Sequence, residues 1–149
     1  MARKEFVQLM ENNILLLDKL AYKLKKEPTQ SPTLPRQQLN ILVRLYVSGR
    51  TRLKDIARCE QITTPNLCAA FRKLERDGFV SRTVDETDRR NTWYECTAPG
   101  ADLAAAALEK FRGGIEKMFS DLSQKDEARF TNALREIEKI LTNMELENA

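Results

Sequence analysis

The run ITTPNLCAAFRKLERDGFVSRTVDETDRRNTWYECTAPG, residues 62–100, decides the fold. Its periodicity changes once, at Gly78. Before that glycine, Leu67, Phe71 and Leu74 recur at helical spacing. Thr64 suits the cap of this helix and Pro65 its first turn, because a residue before proline resists helical geometry. After the glycine, residues 79–84 (FVSRTV) and 92–97 (TWYECT) are β-branched and aromatic, the composition of strands. The charged segment between them, residues 85–91 (DETDRRN), reads as the loop of a hairpin.

Upstream, Leu53, Ile56 and Ala57 mark the inner side of a short helix over residues 53–59. Another helix runs from Pro35 to Ser48, with Pro35 at its first position, Leu39, Leu42, Val43 and Tyr46 inward, and Gly49 as its stop. Helix, turn, helix and hairpin form a winged helix-turn-helix. Such a helix enters the major groove of duplex DNA with its N-terminal turn against the base edges. Residues there must be short and polar. Thr63, Thr64 and Asn66 meet that need: asparagine pairs bidentately with adenine and threonine methyls suit thymine. Capping is the competing role for the two threonines, and the roles can coexist. At the hairpin tip, Arg89 and Arg90 suit the adjacent minor groove, whose negative potential attracts guanidinium groups. Asp88 beside them reads as a device that fixes one arginine before binding. The alternative is a solvated charged turn with no partner.

The ends of the chain read as long helices. Over residues 4–26, Val7, Met10, Ile14, Leu17, Ala21 and Leu24 form one apolar stripe, widened by Leu9, Leu16 and Leu20. Pro28, Pro32 and Pro35 then break the helix. A helix over residues 99–122 aligns Leu103, Ala107, Phe111, Ile115, Met118 and Leu122, with a bend expected at Gly113 and Gly114. Ser123 caps the last helix, with Asp126 three residues on. Phe130, Leu134 or Ala133, Ile137, Leu141 and Met144 make a coiled-coil-like seam. These stripes exceed what one small core can absorb, so the economical solution is a homodimer made by the terminal helices. The expected fold is mainly α with a small β-hairpin wing. Residues 1–34 form an N-terminal dimerisation helix and linker, 35–98 the winged helix-turn-helix, and 99–149 the C-terminal dimerisation helices, all in one intertwined domain.

Composition narrows the function. The chain has 149 residues, 42% hydrophobic and 32% charged, enough to bury about 70% of its unfolded surface without staples. It has no histidine, which removes Ser-His-Asp and Cys-His catalysis and most catalytic zinc sites. Its three cysteines, Cys59, Cys68 and Cys96, show no C-x-x-C spacing, against a disulfide framework or structural zinc. Without a convergent nucleophile or metal cluster, an enzyme is not expected, nor is a cofactor. No apolar run approaches a membrane span and the first residues lack a signal-peptide core, so the expectation is a cytoplasmic protein with no membrane partner. The net charge of +3 is uneven. Residues 1–34 carry +2, residues 35–97 carry +4 and residues 98–149 carry −3, so the basic charge lies on the helix-hairpin part.

The quoted run resembles the MarR (multiple antibiotic resistance regulator) family. The resemblance rests on Leu74-Glu75-Arg76-Asp77-Gly78, Phe79-Val80, Arg82, the wing from Asp85 to Arg90, and Cys96-Thr97-Ala98-Pro99-Gly100. It is most specific over residues 53–103, while the outer helices match in length and placement. It implies a homodimeric transcription regulator, most often a repressor, on a palindromic double-stranded operator. It also implies that the Arg90 position enters the minor groove and that the Asp88 position holds it. A small-molecule pocket between the dimerisation helices and the DNA-binding lobe is implied too. A small aromatic or apolar effector is the default, with Phe111, Met118, Trp93 and Tyr22 as candidate lining residues.

The chain departs from the family at two places. Ala69 stands where many members have arginine, so a base contact that the resemblance implies is absent. Arg72 or Lys73 substitutes for it in this reading. Lys73 is favoured for phosphate, with Arg52 and nearby basic groups, while Arg72 has the alternative of pairing with an acid within the protein. Cys96 replaces the usual leucine and reads as a small buried hydrophobe. Cys68, in the recognition helix, is either an inert thiol or a place where oxidation blocks docking. The rival to the whole reading is a winged-helix protein-interaction module with weak or no DNA binding, and Ala69 is its main support.

Overall fold

The computed structural model describes the backbone of residues 2–26, 34–60 and 62–147, and the side chains within 2–24, 34–58 and 62–144. In chain order the elements are α1 (Ala2–Lys26), α2 (Arg36–Ser48), β1 (Thr51–Arg52), α3 (Leu53–Glu60), α4 (Thr64–Arg76), β2 (Val80–Val84), β3 (Thr92–Cys96), α5 (Ala98–Met118) and α6 (Gln124–Glu147). Two of the expected proline breakers, Pro28 and Pro32, lie outside the described residues. The chain divides into two compact units, Met1–Gly114 and Ile115–Ala149.

The core of the first unit is built where the apolar faces of α2, α3 and α4 meet the sheet. Ile41, Leu42, Leu45, Ile56, Leu67, Phe71 and Leu74 are fully enclosed, with Val80 and Tyr94 beside them. The Phe71 and Tyr94 rings lie 4.1 Å apart at a 36° tilt, which joins α4 to β3. Burial pushes the Tyr94 phenol above its ordinary pKa, because the low-polarity surroundings penalise the phenolate. The inward face of α2 is Gln38, Leu39, Ile41, Leu42 and Leu45, not the face ending at Tyr46, which stays 43% exposed. Pro35 sits at the N-cap rather than in the first turn; its carbonyl accepts the Leu39 N–H at 3.0 Å.

The sheet has three antiparallel strands in the order β1-β3-β2. The hairpin therefore has a third strand, only two residues long, on its far side. Thr51 pairs with Tyr94 and Arg52 with Trp93. On the other side, Val80 pairs with Cys96 and Val84 with Thr92. Gly49 makes the turn into β1 at φ 73°, where a side chain would be strained.

One close approach anchors the sheet to α5. A Cβ on Gly100 would lie 1.9 Å from the Phe79 carbonyl oxygen. The Thr97 hydroxyl donates to the Gly78 carbonyl at 2.6 Å and accepts the Gly100 N–H at 3.3 Å. The Thr97 N–H donates to the Phe79 carbonyl at 3.1 Å. Thr97 therefore starts the helix while holding the turn between α4 and β2. Further along, α5 continues as helix through Gly113 and Gly114, and a Cβ on Gly114 would lie 3.3 Å from Leu24 of α1.

In the second unit, α5 stops at Met118 rather than Leu122. The Leu122 N–H bonds to the Phe119 carbonyl at 3.0 Å, a tight turn that closes the helix early. The expected cap follows. The Asp126 N–H donates to the Ser123 Oγ at 3.1 Å, and that hydroxyl donates to the Asp126 carboxylate at 2.9 Å. The rings of Phe119 and Phe130 lie 5.7 Å apart.

Two helices leave apolar faces uncovered within a single chain. On α1, Leu9, Ile14, Leu16 and Leu17 are each more than half exposed. On α6, Ile137, Ile140, Leu141 and Met144 are as well. Among the described residues, no helix is long and apolar enough to cross a membrane.

Candidate nucleic-acid interface

Helix α4 is held by one face and offers the other. Leu67, Ala70, Phe71 and Leu74 are buried. Thr63, Thr64, Asn66, Ala69 and Arg72 are exposed, and Lys73 is half-buried. The N-cap is Thr63 rather than Thr64: its backbone is extended and its carbonyl accepts the Leu67 N–H at 3.0 Å. The helix therefore starts one residue before Pro65, in the first turn where proline's missing N–H leaves no helical bond unmade. The Thr63 side chain makes no capping bond, so capping does not account for its hydroxyl. Unpaired N–H groups at this end, together with the helix dipole, favour acceptors and anions. Arg72 has no ion-pair partner among the described residues.

The wing loop is an ordered scaffold built on two carboxylates. Asp85 accepts the Thr87 N–H at 2.9 Å, the Thr87 hydroxyl at 2.7 Å and the Asp88 N–H at 3.4 Å. The Thr87 side-chain bond, followed by its backbone N–H, holds the Asp85 carboxyl below its ordinary pKa. Asp88 accepts the Arg90 N–H at 3.1 Å, and its carboxylate lies 3.7 Å from the Arg90 Nε. The carbonyls of Asn91 and Asp88 close the loop by accepting the N–H groups of Asp85 and Asn91. Asp88 thus bonds the backbone of Arg90, while its contact with the arginine side chain is the longer one. Arg89 is exposed, and the Arg90 side chain is 95% exposed.

At the base of the wing the sheet carries a feature that residue spacing does not reveal. The guanidinium groups of Arg50 and Arg52 lie 5.1 and 5.5 Å from the centroid of Trp93. Arg52 also donates through Nε to Asp55 at 2.8 Å. Arg52 is therefore paired within the protein. Strand β1 covers only Thr51 and Arg52, too short for alternation to have signalled this contact. A cleft of about 490 Å³ opens between α3, the start of α4 and the wing.

A second cavity of about 490 Å³ lies between α2 and α5, with Leu39, Val43, Val47, Ala107 and Phe111 in its wall. Of the four expected lining residues, Phe111 alone is there. Trp93 is beneath its arginines, Tyr22 is 64% exposed on α1, and Met118 belongs to the second unit. Cys68 is half-buried on α4. Cys96 is half-buried rather than fully enclosed; its Sγ donates to the Leu42 carbonyl at 3.5 Å, and burial raises its pKa. The Cys59 side chain lies outside the described ones. Among the described residues, no three potential metal ligands gather.

Comparison with known proteins gives the same assignment. Residues 34–92 match the model of the MarR family. The chain is 28% identical over 121 residues to the uncharacterized HTH-type transcriptional regulator YwhA of Bacillus subtilis, spanning 77% of this chain and 87% of that one. It is 32% identical over 107 residues to the transcriptional activatory protein BadR of Rhodopseudomonas palustris, spanning 71% and 59%. The fold matches the structure of a MepR–DNA complex from S. aureus with a TM-score of 0.61 at 24% identity, over 84% of this chain and 95% of that one. Residues 34–92, which hold helices α2 to α4 and most of the wing, are thus similar to the MarR family, and the chain is similar to HTH-type transcriptional regulators.

Proposed function

We propose that this protein is a cytoplasmic homodimeric repressor that binds palindromic double-stranded DNA and silences a promoter by occluding it. One observation carries the reading: an exposed, polar helix start and an ordered, arginine-tipped wing stand on one rigid core. Thr63, Thr64 and Asn66 read base edges in the major groove. Arg89 and Arg90 enter the flanking minor groove, with Asp88 setting Arg90. Arg72 and Lys73 contact phosphates. Residues 35–98 are the DNA-binding region. Residues 1–34 and 99–149 supply dimerisation, which the uncovered apolar faces of α1 and α6 support, since each leucine removed from water contributes about 1.5–3 kcal/mol. The cavity between α2 and α5 is the seat of a small aromatic or apolar effector. Its occupation shifts the population of recognition-helix spacings. The fold shared with a DNA-bound MepR supports this reading.

The test begins with duplexes enriched from a randomised pool. Wild-type affinity falls steeply with salt. Arg90→Ala weakens binding with the circular dichroism unchanged, and Asn66→Ala relaxes discrimination at one base pair. No binding to any enriched duplex would favour a protein-interaction module instead.

A further inference from the structure

Three carboxylates stand within four residues of the wing loop: Asp85, Glu86 and Asp88. Beside a polyanion each of them repels phosphate, so the use of Asp85 and Asp88 lies in the bonds they accept. The ion pair of Asp88 with Arg90 is too weak to hold the arginine by itself. The Arg90 side chain is 95% exposed and its Nε lies 3.7 Å from Asp88 Oδ1, and an ion pair open to water fixes a side chain poorly. The shorter tie is to the backbone, where the Arg90 N–H donates to Asp88 Oδ1 at 3.1 Å. That tie requires Asp88 itself to be held in place.

Asp85 holds it. A single oxygen, Asp85 Oδ1, accepts the Thr87 N–H at 2.9 Å, the Thr87 hydroxyl at 2.7 Å and the Asp88 N–H at 3.4 Å. The two N–H bonds are those of an aspartate turn, open to almost any residue at position 87. The hydroxyl bond is the shortest of the three and needs a short hydroxyl side chain. Threonine also brings a stiff χ1, so this bond restrains the backbone immediately before Asp88. We propose that Thr87 is a positioning residue for DNA binding: its hydroxyl latches the loop onto Asp85, and the latch sets Asp88 and, through it, Arg90 before the duplex arrives. A side chain ordered beforehand loses less entropy on docking. The latch rests on the DNA-binding reading above and adds to it a residue that acts without touching DNA.

The experiment measures fluorescence anisotropy of an enriched duplex with the full chain. Thr87→Val keeps the shape of the side chain and loses the O–H; it should weaken binding about two- to tenfold for each wing docked. Thr87→Ser keeps the O–H and should restore most of the affinity. On an Arg90→Ala background Thr87→Val should add no further loss, because the latch acts through that arginine. Thr87→Ala should give the same pair of results, which separates loss of the hydroxyl from any misfit of valine. Wild-type affinity in Thr87→Val, or an equal loss with and without Arg90, would overturn the positioning role and leave the DNA-binding reading standing. No binding by the wild-type chain would overturn both.

Discussion

Two glycines of one helix should respond to the same substitution with opposite sign. On α5, a Cβ at Gly100 meets the Phe79 carbonyl oxygen at 1.9 Å, its carbon at 2.9 Å and Leu42 Cδ1 at 3.3 Å. The carbonyl cannot swing aside freely, because it accepts the Thr97 N–H at 3.1 Å. Gly100→Ala must push α5 from β2 or break that bond. Overpacking of this kind costs about 1–3 kcal/mol, and a weakened hydrogen bond adds about 1 kcal/mol. The expected loss is about 2–4 kcal/mol. At Gly113 nothing lies within 4 Å of an added Cβ, so Gly113→Ala should gain up to about 1 kcal/mol of helix propensity. Urea unfolding at one fixed protein concentration measures both, since any self-association would make stability depend on concentration. The shift should appear in the midpoint with m unchanged. A neutral or stabilising Gly100→Ala would refute the close approach as the reason for that glycine.

Three further outcomes follow from the geometry. The Asp85 carboxyl should titrate below its ordinary 3.8 in a carbon-detected NMR titration, and Thr87→Val should move it back up. Since the folded value is depressed, the stability it adds is present above pH 3.8 and lost as pH falls through the lower folded value; loop order should follow the same course. Trp93 is the chain's only tryptophan, so emission reports the base of the wing. Replacing Arg50 and Arg52 together by alanine should shift it to the red, and an unchanged spectrum would refute the stacking. Ser123→Ala removes the acceptor of the Asp126 N–H and should cost about 1 kcal/mol by thermal unfolding.

What could be read before folding follows from where the periodicity was unambiguous. The buried face of α4 was plain because Leu67, Phe71 and Leu74 stand among polar neighbours. On α2 the inward face was misplaced, since Leu39, Ile41, Leu42, Val43, Leu45 and Tyr46 cover too much of the circumference to favour one stripe. Strand β1 was missed because two residues have no period. The contact of Arg50 and Arg52 with Trp93 needs the register of β1 on β3, which no local pattern encodes. The cap at Ser123 and the tie from Asp88 to Arg90 were legible because each spans three residues or fewer. The cavity wall was expected from Phe111, Trp93, Tyr22 and Met118, whereas α2 supplies much of it with aliphatic side chains.

The order of the strands has a consequence for solubility. With β3 in the middle, the sheet exposes two rims, and an open rim invites cross-linking by a stray chain into aggregates. One rim is only two residues long, too short to template another strand. The other, β2, presents Ser81, Arg82 and Thr83 before the charged loop, and a cation resists such recruitment. The projecting hairpin thus resists pairing with further copies of the chain.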